Sequence, residues 1–321
     1  MTEDCCDVPP PVARPGARPQ IALAGNPNVG KTTLFNALTG SAAKVSNYPG
    51  ITVERRSGEL ALPTGAADLH DLPGTYSLNA RSAEEQIALD ALTGLHGETT
   101  PDAVIVCVDA TQLARSGYLL LQCRELGART VVALTMVDEA GAAAPDTKAL
   151  SALIGREVIA VTARTGRGLP ELRAAVDRAL RSERRSDWTW KPSEKLRADL
   201  DAVKAALPEA WRSKARLGQD LPGSDDAIAL WALTCIESPA SGDEADELVG
   251  VPAELRAAVY ARAPGKAVDD EAVLARWHWL DREVSTLSHK KPDRSLTHKI
   301  DRVLLHRAVG FAAFLGVMAL L

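Results

Sequence analysis

The stretch from Gln20 to Gly40 limits what this chain can fold into more than any other part of it. Gln20 to Ala24 (QIALA) is a short apolar run that fits a buried strand. GNPNVGKT follows directly, and then LFNALTG, whose apolar residues recur at helical spacing. Strand, glycine loop and helix in that order are the context in which G-x-x-x-x-G-K-[ST] carries meaning, here Gly25, Gly30, Lys31 and Thr32. Such glycines let backbone N–H groups close around a phosphate, and the helix N-terminus adds its partial positive charge. The expected cradle is Gly25, Asn26, Pro27, Asn28, Val29, Gly30, Lys31, Thr32 and Thr33, with Lys31 on the β and γ oxygens and the Thr32 hydroxyl on Mg²⁺.

A glycine loop does not choose its base, so the segments downstream matter. Asp71, Leu72, Pro73 and Gly74 follow the alternating stretch AADLH and match D-x-x-G. In that motif the carboxylate holds the Mg²⁺ shell through water, and the glycine N–H contacts the γ-phosphate. Between the two motifs, NYPGITVE (47–54) is a loop containing Thr52, the natural residue to close over Mg²⁺ and the γ-phosphate. The apolar run Val131 to Leu134 ends in Thr135, Met136, Val137 and Asp138, the position of the guanine-reading [NT]-K-x-D motif. Asp138 would accept from the ring N–H and amine of guanine, which adenine lacks. An unpaired carboxylate against adenine is worth roughly 10⁴-fold discrimination. Thr135 replaces the usual Asn, and Met136 puts an apolar lid where a lysine is common. Thr162, Ala163 and Arg164, just after Val161, fit the last base-contacting loop, where a backbone N–H meets the guanine carbonyl. GTP, GDP and Mg²⁺ are therefore the expected ligands.

Length and composition divide the chain. At 321 residues, two folded units are expected. All six tryptophans lie in the second half, so the halves are expected to have different cores, with Trp277 and Trp279 packed inside. RSERRSDWTWKPSE reads as a boundary. The expected division is a tail over 1–19, a GTP-binding domain over 20–182, a linker over 183–192 and a helical domain over 193–288. The fold class is α/β: a mostly parallel, mixed sheet flanked by helices, followed by an all-α domain and the start of a transmembrane helix. The net charge of −5 argues against a general nucleic-acid surface. Five cysteines without an apolar leader favour a reducing cytoplasm, with Cys107 and Cys123 as core packing and Cys5 and Cys6 in the tail.

Residues 289–307 (HKKPDRSLTHKIDRVLLHR) are net basic, and AVGFAAFLGVMALL (308–321) is apolar throughout. Fourteen helical residues reach roughly 21 Å, short of the roughly 30 Å hydrocarbon core. The segment reads either as a buried terminal helix or as a membrane helix cut short; the basic flank favours the second and a cytoplasmic side for what precedes it.

GNPNVGKTTLFNALTG, NYPGITVE, DLPGTYSL and TMVDEA together resemble the ferrous iron transport protein B family, FeoB, from about Gln20 to Ser182 and again near the C-terminus. The resemblance implies a cytosolic G domain, a helical domain that affects nucleotide release, and a membrane region, absent here, through which Fe(II) crosses the bacterial inner membrane. It also implies that Asn28 helps coordinate K⁺ beside the phosphates, supplying charge where an arginine finger otherwise acts. Self-association stays open. Thr75, not glutamine, follows Gly74, so slow intrinsic hydrolysis is expected. His70 reads as a buried neutral histidine, and Arg55 and Arg56 as a solvated strand end. Two other readings remain at this level: a soluble GTPase assisting ribosome or tRNA maturation, and a nucleotide-gated scaffold that does not hydrolyse.

Overall fold

A computed structural model describes residues 18–40, 44–47, 53–79, 82–95, 98–236, 251–262, 266–284 and 286–287. Its first half is a seven-stranded sheet built from β1 (Gln20–Gly25), β2 (Lys44–Asn47), β3 (Glu54–Leu62), β4 (Gly65–Asp71), β5 (Ala103–Asp109), β6 (Thr130–Thr135) and β7 (Val158–Ala160). Their spatial order is β2-β3-β4-β1-β5-β6-β7. The pairs β2/β3 and β3/β4 are antiparallel, and the remaining pairs are parallel. The mixed, mostly parallel sheet expected from the sequence is present.

The central strands explain themselves chemically. Every residue of β5 (AVIVCVD) and β6 (TVVALT) is buried, as required when helices cover both faces of a parallel sheet. Side-chain alternation sorts them. Ile21, Leu23, Ile105, Cys107, Val131 and Ala133 pack with α1 (Lys31–Thr39) and α6 (Leu169–Arg181). Ala22, Ala24, Val104, Val106, Val132 and Leu134 face the other way, toward α2 (Ala83–Thr93) and α3 (Leu113–Glu125). Cys107 and Cys123 are both fully buried, as expected, and burial pushes each thiol up to about 12.

Between β6 and α6 lie two short helices, α4 (Val137–Ala140) and α5 (Thr147–Ile154). The second half is helical: α7 (Glu194–Ala205), α8 (Ser213–Leu217), α9 (Pro222–Cys235), α10 (Ala253–Tyr260) and α11 (Lys266–Val284). Among the described residues it does not have a core of its own. One apolar cluster runs from Val106 and Leu119 on the sheet side to Leu200, Ile228, Trp231, Leu255 and Leu280. The expectation of two separate cores is corrected here: α3 is covered by the sheet on one side and by α9 and α11 on the other. Gly117 permits this approach, because a Cβ there would lie 2.8 Å from Leu280 Cδ2.

A buried ion pair fixes the same contact. Glu125 and Arg276 are 2% and 4% exposed, and Arg276 Nη2 donates to Glu125 Oε2 at 2.6 Å. Arg276 Nε reaches Glu125 Oε1 at 3.1 Å, its Nη1 reaches Tyr118 Oη at 3.1 Å, and Trp190 Nε1 donates to Glu125 Oε1 at 3.0 Å. Burial alone would lower the Arg276 pKa; the Glu125 charge and hydrogen bonds outweigh it and hold the guanidinium above its usual value. The supposed linker is part of this interface: the Trp188 and Trp190 rings pack tilted at 46° with centroids 5.2 Å apart, and Arg184 is buried with Nη2 on Pro101 O at 2.9 Å. Trp279 is half-buried, but Trp277 is 38% exposed, so its expected place in the core is corrected; only one face meets Tyr118, at 5.7 Å.

Among the described residues no helix is long and apolar enough to cross a membrane. The basic segment and apolar terminus expected over 289–321, the tail cysteines and Thr52 lie outside the described residues.

Candidate nucleotide-binding site

Strand order determines where a ligand can sit. β1 lies between β4 and β5, so connections leave it in opposite directions and a crevice opens beyond its C-terminal end. The segments selected from sequence converge on that edge. Gly25 ends β1, Asp71 ends β4, Asp109 ends β5, Thr135 ends β6, and Thr162 follows β7. Parallel register keeps the ends level: Leu23 pairs with Asp71, Gly25 with Cys107, and Asp109 with Thr135.

Within this mouth the phosphate loop is bent by residues outside their usual backbone range. Asn28 (φ 65°) and Met136 (φ 53°) are the non-glycine residues with positive φ among those described. Asparagine tolerates that region; methionine there costs about 1–3 kcal/mol and persists where surrounding structure imposes it. The Met136 methyl packs on the loop, its Cε 3.3 Å from where a Gly30 Cβ would stand. The lid expected at 136 thus rests on the phosphate loop itself.

Lys31 is half-buried and aimed inward. Its Nζ lies 2.6 Å from Asp71 Oδ1 and donates to Leu72 O at 2.5 Å. Burial raises the Asp71 pKa, and the charges of Lys31 and Arg56 draw it back. A buried carboxylate beside a cation, on the strand next to β1, together with Thr32 exposed at the start of α1, offers the hard oxygen ligands that Mg²⁺ prefers. Thr33 is exposed on the same first turn of α1, and Asn28 is exposed at the rim.

The segment after Asp71 docks on the phosphate loop. A Cβ on Gly74 would stand 3.2 Å from Pro27 Cα and Pro27 N, so only glycine lets the two backbones approach this closely. Thr75 N donates to Gly25 O at 3.2 Å. Its side chain is unavailable for orienting water: Thr75 is 3% exposed, and its hydroxyl donates to Ser77 O at 2.5 Å.

At the base-reading end, the Thr135 hydroxyl donates to Val108 O at 3.3 Å inside the sheet, so it braces the loop rather than facing the crevice. Asp138 sits in the first turn of α4 and is exposed, not buried, because α4 is a single turn at the mouth. Thr162 N donates to Arg167 O at 3.0 Å and Thr165 N to Thr162 O at 3.1 Å, which closes the last loop into a compact turn carrying Ala163 and an exposed Arg164. Val29 is buried and anchors the loop.

His70 is half-buried with Nε2 2.7 Å from Gln20 Oε1, and burial lowers its pKa, with Arg55 adding to the shift and Asp68 opposing it. Arg55 and Arg56 pair with Glu98 and Glu54 at 3.8 and 2.8 Å, as strand-end residues. Two features escaped the sequence reading. Asp109 Oδ1 accepts from Thr111 N and Thr111 Oγ1, both at 2.7 Å, and so shapes the loop between β5 and α3. The other is a contact across Asn26, Tyr76 and Arg115, described below. A polar residue ending an otherwise wholly apolar strand was the available signal for Asp109.

Three comparisons bear on this geometry. A family model described as ferrous iron transport protein B matches residues 19–176. The Fe(2+) transporter FeoB of Escherichia coli (strain K12) is 34% identical over 313 residues, which are 94% of this chain and 38% of that protein. The chain therefore spans well under half the length of that curated relative. Among solved structures, the cytosolic domain of L. pneumophila FeoB superposes with a TM-score of 0.68 at 30% identity, covering 84% of this chain and 100% of that one. The cytosolic domain of the T. maritima FeoB iron transporter in a GDP form gives 0.66 at 28% identity, covering 84% and 97%. The sheet, the loop and its helices are those of a P-loop GTPase.

Proposed function

Because the chain belongs to the ferrous iron transport protein B family, we propose that its crevice binds GTP with Mg²⁺, hydrolyses it slowly, and thereby regulates Fe(II) passage through the membrane part of a longer transporter. The observation that carries this reading is the convergence of Gly25–Thr33, Asp71–Gly74 and Thr135–Asp138 on one sheet edge, with Lys31 Nζ 2.6 Å from Asp71.

In this mechanism Lys31 would leave Asp71 for the β and γ oxygens of an entering nucleotide, and Asp71, through water, and the Thr32 hydroxyl would hold Mg²⁺, which would neutralise charge at the phosphates. Thr52, outside the described residues, would be the further residue to close over the metal and the γ-phosphate. The Gly74 N–H would contact the γ-phosphate, and movement there would pass on through Thr75 and the segment behind it. Water attacks the γ-phosphorus, the bond to the bridging oxygen breaks, and GDP and phosphate leave. With the Thr75 hydroxyl committed to Ser77 O, no side chain at that position orients the water, and turnover is slow. K⁺ held by Asn28 would offset this by supplying positive charge where negative charge develops. Asp138 selects guanine, and Met136, Thr162, Ala163 and Arg164 enclose the base.

The helical half covers α3 directly, which supports a role in passing the nucleotide state on from the crevice. Steady-state phosphate release with GTP or ATP, in KCl or NaCl, with and without Mg²⁺, tests the reading. GTP turnover that needs Mg²⁺ and rises several-fold in K⁺ is expected. ATP held as tightly as GTP, or no GTP turnover in either salt, overturns it.

A further inference from the structure

Arg115 lies in the first turn of α3, outside every motif so far assigned a role, yet it touches the crevice from two directions. Its carbonyl accepts from Asn26 Nδ2 of the phosphate loop at 3.2 Å. Its guanidinium carbon stands 4.5 Å from the ring centroid of Tyr76. Tyr76 is two residues beyond Gly74 and 42% exposed. One residue thus joins the loop that cradles phosphate to the segment that senses it.

The buried end of this bridge is built with little freedom. Asn26 is 2% exposed and uses its amide N–H₂ on the Arg115 carbonyl, so the start of α3 is tied to the loop immediately after β1. From that fixed base the Arg115 side chain reaches outward to the aromatic face, where the ring quadrupole attracts a cation. Thr75 N on Gly25 O and the Gly74 backbone against Pro27 hold the near side of the same segment. Beyond Tyr76, Ser77 Oγ donates to Glu85 Oε1 and Leu78 N to Gln122 Oε1, both at 2.8 Å, so the segment is held on both sides and Arg115 is the contact on its exposed middle.

We infer that Arg115 is a positioning residue for hydrolysis: clamped to the phosphate loop through Asn26, it holds Tyr76 and so sets where the Gly74–Ser77 backbone meets the terminal phosphate. This rests on the GTPase reading above. The Arg115 side chain bears on Tyr76, and the backbone carbonyl that holds Asn26 survives any substitution at 115, so loss of the side chain changes the chemical step and leaves affinity for the diphosphate unaltered.

The test is a double-mutant cycle on the full 321-residue chain in detergent, reading kcat for GTP and the dissociation constant for GDP. A cation over an exposed ring corresponds to roughly a two- to five-fold effect. R115A and Y76A are each expected to lower kcat by about that factor with GDP affinity unchanged, and the double variant to be no slower than either single one. R115K, which keeps a cation near the ring, should recover much of the loss, and Y76F should fall less than Y76A. An R115A kcat equal to wild type, losses that multiply in the double variant, or GDP affinity falling in step with kcat would each overturn the clamp. Absence of turnover in the unmutated chain would overturn the GTPase reading and the clamp together, whereas failure of the clamp alone leaves wild-type turnover intact.

Discussion

Replacing Arg276 by methionine tests what holds the helical half on the G domain. The substitution keeps most of the side-chain volume and removes the donors that reach Glu125 at 2.6, 3.1 and 3.2 Å. Glu125 is 2% exposed, so water cannot replace them, and only Trp190 Nε1 at 3.0 Å remains on the carboxylate. Removing one partner of a buried pair costs about 3–5 kcal/mol, a large part of a typical 5–15 kcal/mol stability. The competing account is that α11 is held by apolar burial, chiefly Leu280 and Val284, at about 1.5–3 kcal/mol for each side chain. That contribution is untouched by R276M, so the two accounts give different numbers. Urea unfolding followed by tryptophan emission should show a loss of about 4 kcal/mol, insensitive to added KCl because the pair is shielded from solvent. At 2–4 °C per kcal/mol this is a fall in Tm of roughly 8–16 °C. The variant R276M/E125Q, which leaves Trp190 an acceptor but no buried charge, should recover at least about half of the loss. A loss below about 1 kcal/mol, or no recovery in the double variant, would refute the claim that this ion pair decides the docking.

Three further outcomes follow from the same coordinates. Gly74→Ala puts a Cβ 3.2 Å from the Pro27 backbone and should cut single-turnover GTP hydrolysis at least about tenfold while GDP affinity stays within about threefold; equal hydrolysis would mean that the two backbones need not approach. His70 has a folded-state pKa below its ordinary 6.5, through burial first and Arg55 second, so it contributes stability that is present above pH 6.5 and lost as pH falls through the lowered value. Unfolding of H70Q between pH 7 and 5 should therefore depend less on pH than wild type, and an unchanged slope would contradict the assignment. Cys107 and Cys123, with thiols raised to about 12 by burial, should resist iodoacetamide at pH 8 until denaturant is added, while the half-buried Cys235 reacts before either of them; mass spectrometry of the labelled peptides reads the order.

How much of this was legible depends on whether the physics is local. The phosphate loop, the D-x-x-G segment and the strand ends are short windows whose periodicity and glycine placement determine the backbone, and each occurs where the sequence puts it. The geometry added what windows cannot carry: Lys31 turning onto Asp71, the Thr135 hydroxyl turning into the sheet, and Thr75 closing on Ser77. The element whose packing the sequence leaves unexplained is α3. Its sequence LARSGYLLLQCRE ends in the polar residues Gln122, Arg124 and Glu125, and these are 6%, 7% and 2% exposed. Burial of Gln122 and Glu125 is sustainable because Leu78 N donates to Gln122 Oε1 at 2.8 Å and Arg276 neutralises Glu125, while Arg124 lies 6.0 Å from the Trp279 ring with its Nε and Nη1 unbonded among the described residues. Arg276 lies 151 positions from Glu125, so nothing in either stretch of chain marks the pairing. The tryptophans misled for the same reason: Trp188 and Trp190 belong to the half where they occur in sequence, but they pack on α3 of the other. A helix buried between two layers has to be apolar or paired on every side, and a pairing made by distant segments is fixed only when α9 and α11 close over it, which is also the step that joins the nucleotide crevice to the helical half.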